Sequence, residues 1–167
     1  MSKYIVTQDV ADCIGCRACE VHCKDKNHSG PGAYYCRILE VQSNQGMAPQ
    51  IDFVYLSCFH CEKAWCVDAC PTGAMRRRDS DGIVYVEAKD CVGCKVCITA
   101  CPWTVPQWNA ETGKVVKCDL CKDRLDQGLE PACVSKCTTG CLKLTTPAEA
   151  SQAARQAFAE QLYLKRS

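Results

Sequence analysis

Eighteen of the 167 residues are cysteine, and sixteen of them fall into four sets of four. Cys13, Cys16, Cys19 and Cys23 are spaced C-x2-C-x2-C-x3-C. Cys58, Cys61, Cys66 and Cys70 are spaced C-x2-C-x4-C-x3-C, with Pro71 following. Cys91, Cys94, Cys97 and Cys101 repeat the first pattern, with Pro102 following. Cys118, Cys121, Cys133 and Cys137 are spaced C-x2-C-x11-C-x3-C, leaving Cys36 and Cys141 outside the sets. In such runs a tight loop wraps three thiolates around one iron–sulfur cube, and the fourth, at the start of a helix, ligates a second cube. One motif therefore cannot complete its own cluster. Four motifs make two reciprocal pairs, and the spacing points to [4Fe–4S] clusters, whose chemistry is one-electron transfer.

Other sulfur chemistries fit less well. Zinc also uses C-x2-C, and the fourth set alone would pass for a zinc site, but zinc knuckles pair two C-x2-C elements. A disulfide framework wants a secretory signal, and the N-terminus MSKYIVTQDV has no apolar h-region. A catalytic cluster needs an iron with an open position, whereas sixteen cysteines satisfy four clusters completely and no C-x3-C-x2-C triad occurs. With aromatics at only 7%, metal has to replace part of the apolar core. The formal charge of +1 argues against a nucleic-acid partner. Four clusters, each −2 with its thiolates, would bring the net charge to about −7. The twenty Lys and Arg then either offset buried negative charge or serve solubility. No apolar run reaches the length of a membrane span, so the chain reads as soluble.

The elements that must position these thiols are short. Lys3–Thr7 and Leu142–Thr145 are β-like runs near the two ends. Met75–Arg78, the turn Asp79–Gly82 and Ile83–Val86 read as a hairpin, and Glu111–Lys114 suggests another turn. Cys36 lies in the β-like stretch AYYCRILEV and is expected to be a structural thiol. From Thr146 the chain turns Ala- and Gln-rich. Thr146, Pro147 and Glu149 form a capping box, and Ala150, Ala153, Ala154, Ala157, Phe158 and Leu162 share one helical face. That face either packs on the chain's own body or docks on a partner subunit or a second copy.

With its four motifs in order, the chain resembles the four-cluster electron-transfer subunits of the molybdenum and tungsten pterin enzymes, the dimethyl sulfoxide reductase, formate dehydrogenase and polysulfide reductase type. The resemblance covers about residues 3–146 and rests also on CFHCEKAWCVDACPTGAM, CVGCKVCITACPW and KCDLCKDRLDQGLEPACVSKC. It implies an α+β fold of two nested bacterial-ferredoxin-like units. Residues 1–49 and 109–146 would form the outer unit, 50–108 the inserted inner unit and 147–167 a C-terminal helix. It implies four [4Fe–4S] clusters with nested ligands. Cys13, Cys16 and Cys19 join Cys137; Cys118, Cys121 and Cys133 join Cys23; Cys58, Cys61 and Cys66 join Cys101; Cys91, Cys94 and Cys97 join Cys70. This pairing would set KYIVT beside LKLT.

The resemblance further implies a non-catalytic role beside a large molybdenum or tungsten pterin subunit, with a flavin or membrane redox subunit as a further partner. The compartment it suggests is cytoplasmic, with periplasmic carriage on a partner's signal the other route. A free soluble polyferredoxin is the alternative function. The chain departs from the family at Thr138, where many relatives have Pro, and at Cys141, where a small residue is common and where a thiol could replace Cys137 as ligand. His22 and His60, each preceding a cysteine, read as exposed residues or as hydrogen-bond donors near a cluster. Trp65, Trp103 and Trp108 read as shields, and Arg76–Arg78 as a docking patch or a solvated hairpin edge.

Overall fold

Short strands and short helices cannot hold themselves together, since isolated two-stranded ribbons and helices under about 12 residues are marginal in water. The computed structural model, which describes residues 2–43 and 50–164, consists mostly of such pieces. Among the described residues the strands form four separate antiparallel pairs. β1 (Ile5–Gln8) pairs with β8 (Leu142–Thr145), Ile5 facing Thr145, so the two ends of the motif-bearing region meet as the nested reading expects. β2 (Arg37–Ser43) pairs with β3 (Gln50–Leu56), β4 (Met75–Arg77) with β5 (Val84–Val86), and β6 (Gln107–Asn109) with β7 (Lys114–Val116). The last two are the hairpin and turn read from the sequence. The helices α1 (Ala18–Lys26), α2 (Trp65–Asp68), α3 (Val96–Ala100), α4 (Lys122–Leu125) and α5 (Ala132–Ser135) each carry or follow a motif cysteine.

The motif loops are wound tightly enough to need left-handed backbone. Gly15 has φ 68°, and a Cβ there would meet the Phe53 ring at 2.5 Å. Arg17 and Lys95, each just after the second cysteine of its motif, are also left-handed, at φ 59° and 65°. Each stands at the N-terminus of the helix that carries the next thiol.

Two small cores result. One joins Cys19, Cys23, Cys36, Ile38, Cys133, Val134, Cys141 and Leu142, with Phe53 and Tyr55 of β3 packed on it. The other joins Ala64, Met75, Val84, Cys97 and Val115. Polar links tie them: Lys3 N–H donates to the Asp81 carbonyl at 2.7 Å, and Arg78 pairs with both Asp81 and Asp126. Arg76 likewise pairs with Asp90, so two of the three arginines read as a docking patch serve internal ion pairs.

β3 was not legible as a strand, and it packs on the core of the outer motifs. The expected unit boundary at residue 49 lies outside the described residues. The last helix, α6 (Pro147–Leu164), begins on the capping box: Thr146 N–H donates to Glu149 Oε2 at 2.7 Å, and Glu149 N–H to Thr146 Oγ1 at 3.3 Å. Residues 165–167 of the expected helix lie outside the description. From Ser151 onward every described residue of α6 is exposed, Phe158 at 61% and Leu162 at 50%, so its apolar face does not pack on the ferredoxin body. No helix among the described residues is long and apolar enough to cross a membrane.

Candidate metal centres

The motif cysteines line four hollows, and each hollow draws on two motifs. Site I is lined by Cys13, Cys16, Cys19 and Cys137, with Cys141 beside them. Site II is lined by Cys23, Cys118, Cys121 and Cys133. Site III is lined by Cys58, Cys61, Cys66 and Cys101. Site IV is lined by Cys70, Cys91, Cys94 and Cys97. The space in each not filled by protein atoms, part of it open to solvent, is about 290, 280, 380 and 300 Å³ for sites I to IV. All eighteen thiols are free of disulfides.

The crossing of motifs follows from local structure. In each run of four, the first two cysteines sit in the loop, the third sits in the first turn of a short helix, and the fourth is carried away further along or beyond that helix. Cys23 lies within α1, Cys70 and Cys101 just past α2 and α3, and Cys137 just past α5.

The thiols ring their hollows instead of converging on a point. Tetrahedral zinc would bring sulfurs within about 3.8 Å of one another. Among the described residues no three His, Cys, Asp or Glu side chains are placed to hold a single metal ion. A polynuclear cluster suits this spread. Electrostatics point the same way. Burial pushes the Cys19 thiol up to about 12, with Cys133 and Cys137 adding to the rise. Burial, with neighbouring thiols adding to the rise, likewise lifts Cys66, Cys97 and Cys133 to about 11. Thiols in such crowded, dry places give up their protons only to a cation that replaces them. Backbone N–H groups already point at sulfur: His60 at Cys58, Met75 at Cys70 and Leu120 at Cys118, each at 3.4 Å. Such bonds favour the thiolate and tune a bound cluster.

Successive sites are neighbours. Cys19 of site I feels Cys133 of site II, Cys118 of site II feels Cys58 of site III, and Cys97 of site IV feels Cys66 of site III.

Two regions of the sequence match 4Fe-4S dicluster domains, residues 49–146 and residues 12–74. The chain belongs to the 4Fe-4S dicluster family. Two dicluster domains make four [4Fe–4S] clusters the cofactors of this chain. Among similar proteins is the probable anaerobic dimethyl sulfoxide reductase chain YnfG of Escherichia coli, 42% identical over 137 residues, covering 77% of this chain and 66% of its own. The thiosulfate reductase electron transfer subunit PhsB of Salmonella typhi is 43% identical over 145 residues, covering 85% and 75%. The nitrate-inducible formate dehydrogenase iron-sulfur subunit of Escherichia coli is 33% identical over 172 residues, covering 91% and 57%. The chain thus spans just under two thirds of the reductase chain YnfG.

Several residues around the sites escaped the sequence reading. His60, read as one of two exposed or donor histidines, is 2% exposed; its Nδ1 accepts the Val84 N–H at 3.0 Å. Burial, with the charge of Lys117 second, holds its imidazole down at about 3, so it is neutral. Tyr55, half-buried, donates its hydroxyl to Cys133 Sγ at 3.3 Å, and Asn27 Nδ2 donates to Cys23 Sγ at 3.5 Å. Lys117 is buried beside Cys58. Nothing in the periodicity of these residues marks them; only adjacency to a motif cysteine, for His60 and Lys117, offered a hint. Trp65 and Trp103 rim site III, both exposed, while Trp108 packs in the second core under Lys95 at 4.1 Å. Thr138 Oγ1 lies 3.6 Å from Cys16 Sγ, and Cys141 Sγ lies 3.5 Å from Cys137 Sγ.

Proposed function

We propose that this dicluster protein is a non-catalytic electron-transfer subunit that carries single electrons along sites I, II, III and IV. The catalytic partner would be a large molybdenum or tungsten pterin subunit, and the far end would serve a second redox partner, a flavin or membrane subunit. The observation that carries this reading is the set of four thiol-ringed hollows, each built from two motifs. When bound, the clusters supply the one-electron chemistry. The chain's own residues fix their spacing and exclude water.

In this reading the ligands are Cys13, Cys16, Cys19 and Cys137 at site I, and Cys23, Cys118, Cys121 and Cys133 at site II. Site III uses Cys58, Cys61, Cys66 and Cys101, and site IV uses Cys70, Cys91, Cys94 and Cys97. The outer unit holds sites I and II and the inserted unit sites III and IV. The packing of Phe53 and Tyr55 supports counting β3 with the outer unit. The compartment we propose is the cytoplasm, with periplasmic carriage on a partner's signal as the other route. The names of the similar subunits support the role, since each belongs to a reductase or dehydrogenase.

Anaerobic purification from the native host tests the reading. The expected result is about 16 iron atoms per chain, four per cluster, together with a large molybdenum or tungsten protein. Iron near eight, or stoichiometric zinc, would sink the cluster assignment. Full iron with no partner would make the protein a free polyferredoxin.

A further inference from the structure

Lys117 is an unusual residue to find inside a protein. It is 3% exposed, and lysine is almost never fully buried unless paired. Its ammonium has three protons and meets three acceptors: the Val84 carbonyl, the Cys118 carbonyl at 2.8 Å and Cys58 Sγ at 3.5 Å. That inventory is the ammonium's own, because a neutral amine would bring one donor fewer. Among the described residues no carboxylate pairs with it, although other lysines and arginines of the chain find Asp or Glu partners. A buried cation needs a counter-charge. The negative group in reach is the thiolate of Cys58 and whatever that thiolate holds.

Its place in the fold is equally specific. Lys117 directly precedes Cys118, a lining residue of site II, and itself lines site III. It therefore stands at the joint between the outer and inner pairs of sites. Arg17 at site I and Lys95 at site IV also line their hollows but are exposed, Arg17 paired with Glu40 and Lys95 stacked on Trp108. Water screens those charges; it does not screen Lys117.

Resting on the ligand assignment proposed above, we propose that Lys117 is a positioning residue that raises the reduction potential of the site III cluster and thereby favours the electron's step from site II to site III. The step is a one-electron exchange: the site II cluster is oxidised by one electron, and the site III cluster is reduced by the same electron. Only the electron passes between the two sites. A fixed positive charge with an N–H···S bond stabilises the more negative, reduced form, and net charge and hydrogen bonds to sulfur are established levers on cluster potential.

The test is an anaerobic redox titration of the whole holoprotein with dithionite, followed by EPR, on wild type, Lys117→Met and Lys117→Arg. Iron content and the effect of Cys101→Ser on one cluster signal are measured first. They decide the ligand assignment independently of Lys117. Lys117→Met should keep all four clusters and lower one potential, with the reduction equilibrium of that cluster falling about tenfold or more, or about 59 mV for one electron. The shifted signal should be the one that Cys101→Ser alters. Lys117→Arg should restore most of the shift. Four unchanged potentials in Lys117→Met, or a shift confined to another cluster, overturns the proposal. If the Met variant loses iron, Lys117→Gln is read in the same way. Loss of the cluster in both uncharged variants gives Lys117 a purely structural role and also overturns it.

Discussion

The crossing of motifs can be tested by counting iron in double variants. Cys101 belongs by sequence with Cys91, Cys94 and Cys97, yet the structure sets it in the hollow with Cys58, Cys61 and Cys66. Two changes at one site damage one cluster, whereas one change at each of two sites damages two. With about four irons per cluster, Cys58→Ala combined with Cys101→Ala should lower iron from about 16 to about 12 per chain. Cys91→Ala combined with Cys101→Ala should lower it to about 8. If each run of four cysteines held its own cluster, the two outcomes would exchange. The assay is iron and acid-labile sulfide per chain, with spin counting of the reduced protein. Serine at the same positions gives a gentler version: changes at one site should be strongly non-additive in the EPR signals, and changes at two sites additive. A fall to about 8 irons for the Cys58 and Cys101 pair would refute the nested arrangement.

Cys36, 3% exposed in the first core but outside the hollows, should be dispensable for metal: Cys36→Ala should keep all four cluster signals while costing about 1 kcal/mol of stability. Stripping the iron should abolish cooperative unfolding and most of the circular dichroism of the short elements, since metal binding and folding are one equilibrium in such chains; an apoprotein with a sharp transition would contradict this. Removing residues 147–167 should leave iron content and potentials unchanged, because α6 contributes nothing to either core; lost iron would show that the helix supports the fold.

The cluster chemistry was legible because it depends on spacing along the chain. Three thiols within seven residues, as at Cys13, Cys16 and Cys19, can only wrap something between them. The capping box was legible for the same reason, since Thr146 and Glu149 interact through local geometry. The β4–β5 hairpin showed because its turn residues stand between two β-like runs. β3 did not show: QIDFVYL, exposed at its start and half-buried after, lacks a clean alternation, and its position comes from pairing with β2 and from Phe53 and Tyr55 reaching the first core. The fate of α6 was not legible either, because an Ala-rich stripe is compatible with close packing and with none.

The buried polar residues share a physical cause that the motifs do not reveal. A core occupied by clusters has too few apolar side chains to decide by shape alone where each short element sits. Directional bonds take over at the joints. Glu20 of α1, 7% exposed, accepts the Ile38 N–H of β2 at 2.6 Å and holds helix to ribbon. Gln8 of β1 donates to the Phe53 carbonyl and accepts the Tyr55 N–H, both at 2.7 Å, which docks β3. Val84 of β5 is gripped from both sides, its N–H by His60 and its carbonyl by Lys117. Each such group would cost stability if left unpaired in a dry interior. Each therefore constrains register more sharply than an apolar contact would. The spacing of neighbouring clusters then depends on these few bonds, and substituting one of them should disturb electron transfer before it disturbs iron content.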